Sequence, residues 1–104
     1  MEKVINLLKS ERKKTKHSIE FFKKEIKLGE EAIEELQSPG FIEKHKDSNN
    51  WTESWTIEQY IRLNVDSYNR SITRYTEKLR EANEYLLQLE RALKVLVQIG
   101  GVRR

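Results

Sequence analysis

The chain has 104 residues with no cysteine, one proline, four glycines and 36% charged residues, a composition that excludes a disulfide framework or thiolate metal site and indicates a single all-α domain of long helices. Its net charge of +3 hides a segregation. Residues 1–28 hold nine Lys/Arg against four Glu, residues 29–59 two Lys against eight acids, and residues 60–104 nine Lys/Arg against five acids.

The first predicted helix covers about residues 1–37. Alternating strides of four and three trace Met1, Ile5, Leu8, Arg12, Thr15, Ile19, Phe22, Ile26, Gly29, Ile33 and Leu36, an apolar seam that Arg12, Thr15 and Gly29 interrupt. Val4, Leu7, Phe21, Leu28 and Ala32 lie beside it, so the apolar face is wider than one partner helix covers. The opening residues show only short apolar pairs between charges, which predicts neither a signal peptide nor a membrane span and points to the cytoplasm. Lys9, Arg12, Lys13, Lys14 and Lys16, with Lys23, Lys24 and Lys27, suit nucleic acid or an acidic protein as partner. Glu11, Glu20 and Glu25 are interleaved, however, and no helix-turn-helix, zinc-finger or basic-zipper pattern accompanies the cations, so nucleic acid ranks below protein.

Ser38, Pro39 and Gly40 end that helix, because Pro39 cannot continue the hydrogen-bond ladder. Residues 38–55 form the connector, longer than a plain helix–helix link, with one helical turn expected over residues 41–46 and a turn over residues 47–50. Trp51 and Trp55 stand four apart within it.

The second long helix is expected over about residues 56–99, with Thr56 and Gln59 as a capping box at its start. Its seam is Ile61, Val65, Tyr68, Ile72, Tyr75, Leu79, Ala82, Leu86, Leu89, Leu93 and Leu96, without a polar interruption. At 37% hydrophobic content such a run arises by chance roughly 2 times in 100,000. Gly100 and Gly101 predict a left-handed terminus, and residues 100–104 a tail.

Two such helices joined by one connector predict an antiparallel hairpin with coiled-coil seams, Ile5 near Leu89 and Ile33 near Ile61. Toward its end the second helix is apolar around most of its circumference. This predicts an oligomeric helical bundle, a homodimer or higher, with Val4, Leu7, Leu87, Val95 and Ile99 at the interface between copies.

The middle of the second helix is rich in Ser, Thr and Asn, poor choices for a plain coiled coil. Trp51, Trp55, Tyr60, Arg62, Arg70 and Arg74 together have the aromatic and guanidinium chemistry that holds a nucleotide-like ligand or a protein partner. His17 and His45 lack metal-ligand spacing, Glu30, Glu31, Glu34 and Glu35 lack the accompanying Glu-x-x-His of a diiron bundle, and no glycine-rich phosphate loop or activated serine is present, so neither a metal, a cofactor nor catalysis is expected. The sequence thus reads as a non-catalytic interaction or regulatory protein, an adaptor, inhibitor or scaffold such as phages encode. The alternatives are a ligand-sequestering protein and a nucleic-acid-binding one.

Overall fold

The computed structural model describes residues 1–45 and 56–102. Trp51, Trp55, the turn expected at residues 47–50 and the last two residues of the tail lie outside them. The described residues form three helices and no strand: α1 (Glu2–Leu36), α2 (Pro39–His45) and α3 (Ile57–Val102).

Local chemistry sets the boundaries. The Ser38 N–H donates to the Glu35 carbonyl at 3.2 Å, tightening the last turn of α1. The Ser38 hydroxyl donates to the same carbonyl at 2.7 Å and accepts the Phe41 N–H at 3.3 Å, so one side chain closes α1 and caps α2. Pro39, the stop signal for α1, is also the first residue of α2, where its missing N–H costs nothing. At α3 the expected capping box forms in both directions: Gln59 N–H to Thr56 Oγ1 at 3.1 Å, and Thr56 N–H to Gln59 Oε1 at 3.0 Å. The far end differs from expectation. No described residue has positive φ, and α3 continues through Gly100 and Gly101 to Val102. Glycine tolerates a left-handed terminus without requiring one; staying helical costs about 1 kcal/mol per glycine relative to alanine.

Helix α1 packs against α3, and the chain divides into two compact units. In the first, Met1–Lys23 pairs with Thr76–Arg104. One groove here is lined by Thr15, Ser18, Phe22, Lys78 and Tyr85, another by Lys9, Arg12, Leu93 and Val97. Higher numbers on α1 thus meet lower numbers on α3, which makes the pairing antiparallel. Ile19, Leu89 and Leu93 are buried, together with Thr15. The Thr15 hydroxyl donates to the Glu11 carbonyl at 2.8 Å, so this polar interruption of the seam leaves no unsatisfied group.

The second unit, Lys24–Tyr75, fixes the register. Gly29 is buried, and a Cβ placed there would lie 2.9 Å from Ile72 Cγ1. The gap in the α1 seam is the space the Ile72 side chain fills. The expected register set Gly29 opposite Val65, so the observed pairing is displaced by one heptad. In the first unit Arg12, expected at the level of Ala82, instead borders a groove with Glu90, Leu93 and Lys94, a displacement in the same direction. A run of apolar residues at seven-residue intervals looks alike after a shift of seven; the volume match between glycine and isoleucine removes that ambiguity. The shift carries the first turns of α3 past the end of α1, where α2 covers them. Phe41 stacks on Tyr60 with centroids 6.3 Å apart and rings 5° from parallel, and Ile57 is buried.

In the hydroxyl- and amide-rich middle of α3, two side chains bond to the helix's own backbone. Asn64 Nδ2 donates to the Tyr60 carbonyl at 2.8 Å and Thr73 Oγ1 to the Asn69 carbonyl at 2.9 Å. Tyr68, assigned to the seam, is 38% exposed.

Replacing Gly29 with Leu is expected to lower unfolding stability by about 1–3 kcal/mol through overpacking. Adding Ile72→Ala should recover part of that loss, a coupling that denaturant titration of the two single variants and the double variant measures.

Candidate interaction surfaces

Two flanks of the first unit differ sharply in chemistry, and heptad spacing explains why. On α1, Val4, Glu11 and Ser18 form one row at seven-residue intervals. On α3, Lys78, Tyr85, Ala92 and Ile99 form another. Ser18, Lys78 and Tyr85 line a common groove of about 320 Å³, so the two rows share a side of the pair. Val4, Tyr85 and Ile99 are exposed on that side, and in the neighbouring rows Leu7 is 67% and Val95 53% exposed. A two-helix seam needs only two apolar positions in seven. On α3 a third recurs at Tyr85, Ala92 and Ile99, the pattern of a helix that faces a larger core, and on α1 Val4 adds to the same side.

The opposite flank is basic. Lys9, Lys16 and Lys23 follow one another at intervals of seven on α1, and Glu90 and Val97 do so on α3. Lys9, Arg12, Glu90, Leu93, Lys94 and Val97 border a groove of about 340 Å³. Its floor is Leu93, with Val97 55% exposed beside it. Arg12 holds an inward seam position, is half-buried, and has no hydrogen bond or ion pair among the described residues. Lys94 stands four residues after Glu90, spaced for an intrahelical pair, yet none forms.

Three cations of this unit are matched within one helix. Lys14 pairs with Glu11 at 3.7 Å and Lys23 with Glu20 at 3.9 Å. Arg80 bridges Glu77, three residues before it, and Glu84 at 2.8 Å, four residues after. Hydrogen bonding and attraction from Arg80 hold the Glu77 carboxyl below its ordinary range, and the two carboxylates raise the Arg80 guanidinium. Both side chains are exposed, so the network orders a surface and adds little stability.

The proposed ligand residues are spread by helical geometry. Tyr60 and Arg62, two apart, project about 200° from one another around α3, and Tyr60 lies roughly 21 Å along the axis from Arg74. Tyr60 stacks on Phe41, Arg62 is exposed, Arg70 Nε donates to the Asp66 carbonyl at 3.4 Å, and Arg74 lies 5.4 Å from the Tyr75 ring centroid. Trp51 and Trp55 are outside the described residues. The interface candidates Val4, Leu7, Leu87, Val95 and Ile99 are all exposed. Among the described residues no group of three or more His, Asp or Glu is placed to hold a metal, and no helix is long and apolar enough to cross a membrane. In the sequence Arg12 is both an interruption of the seam and a member of the basic run that suits an acidic partner. Its meaning depends on Leu93, Lys94 and Val97, which line the same groove.

No protein-family model, curated protein or solved structure matches this chain.

A half-buried, unpaired guanidinium in a seam is a stability cost. Arg12→Leu is therefore expected to stabilise the fold by about 1 kcal/mol, read as a rise of roughly 4–8 °C in Tm by circular dichroism.

Proposed function

We propose that this chain is a non-catalytic helical interaction protein. It pairs its helices by coiled-coil packing, associates with further copies into a helical bundle, and acts in the cytoplasm as an adaptor, inhibitor or scaffold for another protein. The supporting observation is the apolar flank of the first unit. Val4, Leu7, Tyr85, Val95 and Ile99 are exposed on the side shared by the paired rows. Burying an apolar side chain of this size contributes about 1.5–3 kcal/mol, and two such flanks facing one another complete a four-helix core. Leu87 lies on the other flank, in line with Glu90, Lys94 and Val97, so it is assigned to the partner-facing side.

Light scattering coupled to size exclusion tests the self-association. The wild type is expected at a multiple of 12.5 kDa. Val95→Glu with Ile99→Glu, both exposed within the single chain, should return the mass to one chain while helicity persists. Leu93→Glu, at a buried position, should lose assembly and helicity together. A wild type that runs as a single chain across concentration would refute the self-association.

A further inference from the structure

We infer that the groove bordered by Lys9, Arg12, Leu93, Lys94 and Val97 docks an acidic amphipathic helix of a partner protein. The inference rests on the interaction reading above and names the chemistry of the partner that reading requires.

Charge complementarity carries the argument. The unit that holds the groove contains thirteen Lys/Arg against seven Glu. Lys14, Lys23 and Arg80 are neutralised by Glu11, Glu20 and the pair Glu77 and Glu84. The cations facing this groove are not. Lys9, Arg12 and Lys94 make no ion pair or hydrogen bond among the described residues, and Glu90 is the one carboxylate on the rim. Arg12 presents a planar fork of donors that suits a carboxylate in bidentate contact.

The apolar floor then selects among anions. Val97 is exposed beside buried Leu93, and exposed Leu87 lies ten residues before Val97 on the same line of α3, about 15 Å away. A nucleic-acid backbone would satisfy the cations, leave Leu87 and Val97 against water, and set Glu90 against phosphate. A helix with an apolar line and flanking carboxylates satisfies both features. The groove between two antiparallel helices also has the shape into which a third helix packs.

The test uses the full chain and three labelled probes read by fluorescence anisotropy. The probes are a helical peptide with Leu at three–four spacing and flanking Glu, a scrambled peptide of the same composition, and a short DNA duplex. The helical peptide is expected to bind saturably, and the scrambled one at least about tenfold more weakly. Lys9→Glu with Lys94→Glu, both at exposed positions, should weaken binding by about tenfold or more, and exchanging the peptide's Glu for Lys should restore it to that variant. Arg12→Leu should weaken binding while raising Tm, a combination that damage to the fold cannot give. Equal binding of the scrambled peptide, no saturable binding of the helical one, or preferential binding of the duplex through Lys9 and Lys94 would each overturn the proposal. Val95→Glu with Ile99→Glu separates the two readings, since it should change the mass of the assembly and leave peptide affinity unchanged.

Discussion

The fit of Ile72 against Gly29 is the contact on which the placement of everything else depends. Two apolar seams of this length can pair in several ways that differ by whole heptads and bury similar amounts of hydrocarbon. One missing side chain opposite a β-branched residue distinguishes among them, because interiors are packed densely enough that a gap or a clash of one methyl group matters. From that register follows the extension of α3 past the end of α1. The stacking of Phe41 on Tyr60 over that extension follows as well.

The first unit then separates its two flanks by chemistry. Rows of residues seven apart stay on one side of a helix pair for its whole length, so a sequence can write an apolar flank and a basic flank independently. Here Val4, Tyr85, Ala92 and Ile99 occupy one beside Glu11, Ser18 and Lys78, and Lys9, Lys16, Lys23 and Lys94 border the other beside Glu90. The division permits one flank to meet like surfaces and the other to meet unlike charge without competition between them. Arg12 belongs to neither row. It sits in the seam, where a leucine would pack better, and its head reaches the basic groove.

Much of the fold was legible because the signals are local. Thr56 and Gln59 fix the start of α3, Ser38 and Pro39 fix the end of α1, and the strides of four and three identify the buried face down to Ile19, Leu89 and Leu93. The register was not legible. Heptad periodicity repeats itself, and Gly29 read as a defect until its opposite number was known. The end of α3 was misplaced for a related reason: glycine permits a left-handed turn, but only the following chain decides whether one forms. The tyrosine and arginines proposed as a ligand site share a chemistry, yet a rigid helix sends Tyr60 and Arg62 to different sides. The sequence spacing already contained that geometry. Arg12 could have been singled out as a charge in an apolar seam, but its surroundings come from α3.

The cap that Ser38 supplies to two helices has a kinetic corollary. By joining α1 to α2 through a single hydroxyl, it makes a local link that needs no long-range pairing to form. Closing the shortest loop loses the least entropy, so nucleation belongs near this bend, with zippering outward toward the chain ends. Gly29 and Ile72 are then met early, and a wrong alignment is detected before many later contacts have formed to trap it.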